Sequence, residues 1–99
     1  MKEFASGRWL VTEGKQEEFL QRWTEFLQWT KADATGLIEA HLLRDVEDSR
    51  SFASVSEWTD AGSRDAWKHK DGFRSHLDAA RGLCDKISSS DYELATEVK

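Results

Sequence analysis

The order of strand-like and helix-like segments restricts the fold of this chain more than any other feature of its sequence. Apolar residues recur at helical spacing in two long stretches, and segments rich in β-branched and aromatic residues lie before, between and after them. Thr59 or Asp60 can cap a short helix between these stretches, because a side-chain oxygen satisfies the free amides of a first turn. The predicted elements are strands over residues 4–12, 37–45, 51–58 and 92–98, helices over 16–31, 60–67 and 73–87, and a loop over 88–90.

This order of elements predicts an α+β fold with a ferredoxin-like, split β-α-β protomer. Helices that return the chain to one sheet pack on the same face of that sheet. The other face of a four-stranded sheet is then uncovered. Pairing two such faces would bury both of them, so we predict a homodimer in the form of a dimeric α+β barrel.

The size and charge of the chain argue against several classes of protein. A chain of 99 residues is expected to form one domain over residues 1–99. Its formal net charge of −5 disfavours nucleic-acid binding, because phosphates attract a basic surface. No apolar run approaches the roughly 20 residues of a membrane-spanning helix, and no secretory leader opens the sequence. The single cysteine, Cys84, cannot form an internal disulfide, so we predict a cytoplasmic protein.

The sequence lacks the common catalytic signatures. It has no glycine-rich phosphate loop, no dinucleotide-binding fingerprint and no nucleophile elbow. His41, His69 and His76 do not have metal-ligand spacing, and there is no second cysteine to complete a zinc site. We therefore predict no metal centre. The charged run at residues 68–71 is typical of a solvated helix end.

The candidate site is a block of large side chains around the last two predicted helices. Trp67 precedes Phe73 and His76, which both fall on the apolar stripe of the longer helix. A histidine on such a stripe is often a core residue bonded to a backbone carbonyl. Alternatively, Trp67, Phe73 and His76 outline an aromatic cavity with one titratable group, which is the usual character of a small-molecule site.

Several short motifs follow one another along nearly the whole chain. They are Val11-Thr12-Glu13-Gly14, Glu18-Phe19 with Trp23, Gly36-Leu37, Leu43-Arg44-Asp45, Val55-Ser56-Glu57-Trp58, Ala66-Trp67 and Phe73. In this order and at these separations, the set resembles the antibiotic biosynthesis monooxygenase domain. The resemblance implies a dimeric α+β barrel with a hydrophobic pocket between the helices and the sheet of each protomer.

The resemblance also implies that a small aromatic or quinol-type compound is oxidised by molecular oxygen without metal, flavin or nicotinamide. An aromatic phenolate or quinol can itself reduce oxygen, so the protein supplies orientation, dryness and a proton acceptor. On this interpretation the catalytic residues are Trp67 and His76, and His76 is the base or hydrogen-bond donor. The expected substrate-binding residues are Trp58, Phe73, Trp9, Phe26 and Trp23.

Two other functions stay open at this point. A haem-degrading branch of the same family uses an Asn on the first strand, a Trp and an iron-ligating His, and Trp67 and His76 match the last two. The Asn position falls on Gly7, which argues against haem cleavage and leaves haem binding through His76 open. The third hypothesis is a non-catalytic dimer that binds a small ligand, since a fold does not fix a function.

Overall fold

Four antiparallel strands form one sheet, on which three helices pack, in the computed structural model that describes residues 2–99. The strands are β1 (Glu3–Val11), β2 (Leu37–Arg44), β3 (Ser51–Trp58) and β4 (Cys84–Glu93). Their order across the sheet is β2-β3-β1-β4, so β1 and β3 are central and β2 and β4 are the edges. This α+β arrangement is the ferredoxin-like protomer that the order of elements predicts, and the fold class is confirmed.

The three helices are α1 (Gln16–Asp33), α2 (Ala61–Lys68) and α3 (Asp71–Arg81). Of the two predicted caps of α2, Asp60 is the one used: its Oδ1 accepts a hydrogen bond from the backbone N–H of Ser63 at 2.7 Å. That bond lowers the pKa of the Asp60 carboxyl below its ordinary value. Within residues 2–99, no helix combines the length and the apolar character that crossing a membrane requires.

The last third of the chain differs from the prediction. The sequence predicts a helix over residues 73–87, a loop over 88–90 and a strand over 92–98, but α3 ends at Arg81 and β4 begins at Cys84. In the ladder between β1 and β4, Ile87 is the partner of Trp9 and the serines lie within the strand. Serine carries little strand preference of its own, so pairing with β1, rather than local propensity, determines this element.

Aromatic side chains make up most of the core between the sheet and the helices. Neighbouring rings meet in the tilted, stacked and edge-on arrangements that aromatic pairs prefer. The large residues that the sequence assigns to a candidate site therefore also form much of the core. The buried cluster consists of Trp9, Val11, Phe19, Trp23, Phe26, Phe52, Trp58, Trp67 and Ala80.

The sheet face opposite the helices is uncovered in the described part of the chain. Side chains alternate along a strand, so Leu42 packs against the core while the adjacent Leu43 points to the other face. Leu43 and Tyr92 each leave 56% of their area exposed. This face is the surface on which the predicted dimer would form.

The start of α3 lies directly against α1. A Cβ added to Gly72 would lie 2.4 Å from Cζ2 of Trp29, so a glycine is required for the two helices to approach this closely. The Trp29 indole is itself fixed, because its Nε1 donates a hydrogen bond to Asp33 Oδ2 at 3.0 Å. The contact sets the position of α3 and, with it, the side chains that α3 contributes to the site.

Candidate functional site

A cavity of about 330 Å³ lies between the helices and the sheet face that they cover. Five large aromatic side chains line it together with smaller apolar and polar residues, and Ser54 of β3 lies on the sheet side. A cavity of this size with a few polar groups is typical of a small-molecule site. The aromatic residues that line it are Trp9 of β1, Trp23 and Phe26 of α1, Trp67 of α2 and Phe73 of α3.

Phe26 is the centre of this aromatic wall. Its ring stacks on Trp67 with centroids 5.7 Å apart and an interplanar angle of 13°. It meets Trp23 and Phe73 edge-on, at centroid distances of 5.2 and 5.6 Å. These contacts hold the rings in fixed orientations, so the wall offers rigid planes and edges to an aromatic ligand.

The structure brings together five of the seven residues that the sequence assigns to the site, the five aromatic residues of the wall. Trp58 does not line the cavity. It is fully buried against Trp67, with ring centroids 4.8 Å apart, and its Nε1 donates a hydrogen bond to Ser56 Oγ at 2.9 Å. Trp58 thus supports the wall through Trp67 and does not contact the space that a ligand would fill.

His76 is the other assigned residue that does not line the cavity. Its ring packs on α1, with its centroid 5.4 Å from that of Trp29 and 6.1 Å from that of Phe26. Helical geometry explains this position. Leu77 lines the cavity, and consecutive residues leave a helix about 100° apart, so the side chain before Leu77 points towards α1 instead.

Hydroxyl groups hold two of the indoles in the wall. Trp9 Nε1 donates a hydrogen bond to Ser54 Oγ at 3.0 Å, and Trp67 Nε1 donates one to Thr30 Oγ1 at 3.0 Å. Both hydroxyl residues also line the cavity. Sequence reasoning missed Ser54 and Thr30, because small hydroxyl residues on a strand and a helix carry no distinctive pattern.

Gly7 lies beside the Trp9 indole, and this contact bears on haem. A Cβ added to Gly7 would lie 2.8 Å from Trp9 Nε1 and 3.0 Å from Ser54 Oγ. The indole therefore occupies the space that an Asn at this position would need. With His76 also outside the cavity lining, these residues do not fit a haem whose iron is ligated in the cavity. Among residues 2–99, no three His, Cys, Asp or Glu side chains are grouped so as to hold a metal ion.

An ion-pair cluster lies at the β4 side of the cavity. Lys68 of α2 contacts Asp91 of β4, and both residues line the cavity. Arg64, whose side chain is buried, binds Glu3 Oε1 through Nη1 at 2.9 Å, and its Nε lies 3.7 Å from Asp91 Oδ2. Sequence reasoning missed Lys68 and Asp91, because the run at 68–71 indicates a solvated helix end and no local pattern links it to residue 91.

The fold and the cavity define a class of small α+β proteins in which a ferredoxin-like protomer encloses an aromatic pocket. A family model described as antibiotic biosynthesis monooxygenase matches residues 4–79. The chain therefore belongs to the antibiotic biosynthesis monooxygenase family, as the sequence motifs indicate. Membership of this family supports a monooxygenase-type function.

Solved structures share this fold at low sequence identity. SnoaB from Streptomyces nogalater, a cofactor-independent oxygenase, is 21% identical, with a TM-score of 0.88 over 98% of this chain and 96% of that chain. A mutant of SnoaB has a TM-score of 0.90 with the same identity and coverage. A conserved protein from Methanosarcina mazei Go1 is 20% identical, with a TM-score of 0.85 over 93% of this chain and 91% of that chain. No protein with a curated description matches the chain.

Proposed function

We propose that this protein is a cofactor-independent monooxygenase that oxidises a small aromatic or quinol-type compound in the cavity. The observation that carries the proposal is the aromatic wall, in which the rings of Phe26, Trp67 and Phe73 lie with centroids between 4.7 and 5.7 Å apart. Such a wall suits a planar aromatic ligand, because ring faces and edges attract one another. Family membership and the fold shared with a cofactor-independent oxygenase also support the proposal.

In the proposed reaction the substrate supplies the electrons that reduce oxygen. An anthrone, for example, loses a proton from its CH₂ carbon to give an enolate, which transfers one electron to O₂. The two radicals combine into a hydroperoxide at that carbon after protonation, and loss of water leaves a C=O group. The balance is CH₂ + O₂ → C=O + H₂O, so one oxygen atom enters the product and no further reductant is needed.

The protein's part is to hold the substrate and keep it dry. The five aromatic residues of the wall provide the contact surface, and Trp67 is oriented by its bond to Thr30. Fixing a reactant in place removes much of the entropic cost of the encounter. A cavity with little water also strengthens any electrostatic interaction with the enolate.

The proton acceptor is the part of the proposal with more than one candidate. The role that the sequence predicts for His76 stays a prediction, and in the observed position its ring contacts Phe26 rather than the cavity. Of the ionisable groups that line the cavity, Asp91 is able to accept a proton, whereas the His41 ring lies on the uncovered face of the sheet, because side chains alternate along β2 and Leu42 faces the core. His41 Nε2 lies 2.9 Å from Glu39 Oε1, and Asp91 contacts Lys68.

Oxygen uptake across a panel of anthrones and hydroxylated naphthoquinones tests the proposal. We expect uptake above the uncatalysed rate with at least one compound, and one ¹⁸O atom in the product when ¹⁸O₂ is used. Leu77→Trp, which fills the cavity, should lower the rate at least tenfold, whereas Val46→Trp in the exposed loop should not. A panel that is inert with wild-type protein would overturn the proposal, and a ligand recovered unchanged would favour the non-catalytic alternative.

The same assay separates the candidate proton acceptors. His76→Ala and Asp91→Asn are compared with wild type at several pH values, and His41→Ala, on the other face of the sheet, is the control. Removal of the direct proton acceptor should lower kcat by about 10²-fold or more, which is the usual size of a general-base effect. If only His76→Ala does so, the role predicted from the sequence holds and the side chain must reach the cavity during turnover.

The haem alternative is tested by titration, where a saturable Soret shift that His76→Ala abolishes would restore it.

The homodimer is the second part of the proposal. The uncovered face of the sheet, with Leu43 and Tyr92 each 56% exposed, supports a face-to-face pairing of two protomers. Sedimentation equilibrium at micromolar concentration should give the mass of two chains. Leu43→Glu should shift the equilibrium towards monomer, whereas Val46→Glu, which lies in the loop between β2 and β3, should not. A wild-type monomer throughout this range would contradict the pairing.

A further inference from the structure

Trp23 differs from the other tryptophans in its hydrogen bonding. The other four indole N–H groups each donate to a side-chain oxygen of the protein. Those bonds join Trp9 to Ser54, Trp29 to Asp33, Trp58 to Ser56 and Trp67 to Thr30, at 2.9–3.0 Å. Trp23 Nε1 is buried and has no hydrogen-bond partner within residues 2–99.

The surroundings of Trp23 explain why no neighbour can take this hydrogen bond. Its ring lies among other rings, with centroids 4.9 Å from Trp9, 5.7 Å from Phe19 and 5.2 Å from Phe26. Aromatic faces are only weak acceptors. Leaving a buried donor without an acceptor is unfavourable, and such groups in native proteins call for an explanation.

The position of Trp23 supplies that explanation. Trp23 is 5% exposed and belongs to the wall of the cavity. A ligand that fills the cavity therefore contacts the one indole in the wall that has no acceptor within residues 2–99, and, because Nε1 is itself buried, the indole has to turn slightly for its N–H to reach a ligand oxygen. The aromatic rings recognise the shape of a ligand but not its oxygen atoms, so a free donor adds chemical selectivity that the other rings lack.

We propose that Trp23 Nε1–H donates a hydrogen bond to an acceptor oxygen of the bound compound, and that it selects aromatic ligands that carry a ring carbonyl or phenolate oxygen. This inference rests on the proposed function for the location of the ligand, but it concerns binding and requires no turnover. Trp23 is then a specificity-determining residue, which distinguishes oxygenated ring systems from hydrocarbons of the same shape.

Two compounds of the same shape provide the test. Anthrone and 9,10-dihydroanthracene differ only in a C=O group that replaces one CH₂ group. Their affinities are measured without oxygen by titration calorimetry, for wild type, for Trp23→Phe and for protein with 3-benzothienylalanine at position 23. The last of these keeps the size of the indole and removes its N–H, so it separates the hydrogen bond from a change in packing or folding.

We expect wild type to bind anthrone more tightly than dihydroanthracene. Both changes at position 23 should raise the Kd for anthrone about threefold to tenfold, the effect of one hydrogen bond, and leave dihydroanthracene within about twofold. In ¹H–¹⁵N spectra, the Trp23 indole resonance should move downfield with anthrone and not with dihydroanthracene. A Trp23 N–H that points at a neighbouring ring would show no such selective shift.

Equal effects on both compounds, or no binding of either, would overturn the inference. The outcome is distinguishable from failure of the proposed function. Selective binding without oxygen uptake would retain the role of Trp23 and reject the oxygenase, whereas uptake with no selectivity at position 23 would do the reverse.

Discussion

Trp67 Nε1 donates a hydrogen bond to Thr30 Oγ1 at 3.0 Å, and both residues are buried. The bond joins α2 to α1 across the cavity wall. It holds the Trp67 ring in the position where it stacks on Phe26 and contacts Trp58. One hydroxyl of α1 therefore fixes the orientation of the ring to which the sequence assigns a catalytic role.

Thr30→Val should destabilise the protein. Valine keeps the shape of threonine but leaves the buried Trp67 N–H without an acceptor, so we expect the free energy of unfolding to fall by about 1–3 kcal/mol. Urea unfolding measures the change. Thr24→Val is the control, because Thr24 is exposed on the same helix and bonds only to Leu20 O. That variant should stay within about 0.5 kcal/mol of wild type, and equal losses in the two variants would contradict the prediction.

Gly7→Ala should displace the Trp9 indole. The added Cβ would lie 2.8 Å from Trp9 Nε1, so the indole must move and its bond to Ser54 weakens. We expect a loss of about 1–3 kcal/mol, measured by urea unfolding, and an altered near-ultraviolet circular dichroism spectrum. Gly62→Ala is the control, since its Cβ would meet only Asp60 Oδ1 at 3.4 Å. An unchanged spectrum for Gly7→Ala would contradict the prediction, because it would show that the backbone of β1 moves and the indole stays in place.

Cys84 should react slowly with alkylating reagents in the folded protein. Burial, with a smaller effect of Asp85, raises the pKa of the Cys84 thiol to about 11. At pH 8 only about one thiol in a thousand is then ionised, and the thiolate is the reactive form. We expect the iodoacetamide rate to rise about tenfold per pH unit up to about pH 11, whereas the rate of a cysteine with the ordinary pKa of 9.0 levels off above pH 9.

The same shift links Cys84 to stability at alkaline pH. The unfolded chain loses the thiol proton first, near the ordinary value of 9.0, while the folded protein keeps it until about 11. The contribution to stability is therefore fully present below pH 9 and is lost as the pH rises to about 11. Urea unfolding of Cys84→Ser against wild type checks this, since the serine variant should lack that part of the pH dependence.

Arg64→Met should lower the free energy of unfolding more than removal of a surface arginine does. The Arg64 side chain is 10% exposed and its Glu3 partner is 15% exposed, so the change leaves a nearly buried carboxylate unpaired. We expect a loss of about 3 kcal/mol in the free energy of unfolding. Arg74→Met is the control, because Arg74 is 88% exposed and lies 3.9 Å from Asp78. Comparable losses in the two variants would contradict a buried role for the Arg64 pair.

The fold class is predictable from this sequence because its strongest periodic segments are long. The apolar stripe of α1 and the alternation in β1 and β3 are enough to fix the order of elements, and the order fixes the sheet. β4 is not predictable in the same way. Its three serines carry no strand signal. The position of Ile87 in the sequence continues the apolar stripe of α3, but Ile87 lies in β4, where it pairs with Trp9 of β1.

The site is predictable in its composition but not in its orientation. Aromatic residues on inward positions identify most of the wall. A helical stripe, however, is too broad to distinguish Leu77 from His76, which leave α3 about 100° apart. The pairing of Lys68 with Asp91 joins residues from different elements, and only the folded chain brings these charges together.

The close approach of Gly72 to Trp29 also bears on the route by which a ligand reaches the cavity. It seals the start of α3 against α1, so access past that end would require the two helices to separate. The other end of α3 carries Arg81, which is exposed and lines the cavity together with Ile87 of β4. We expect a ligand to arrive along this side, where an acidic aromatic compound would meet the positive charge of the guanidinium before it reaches the rings.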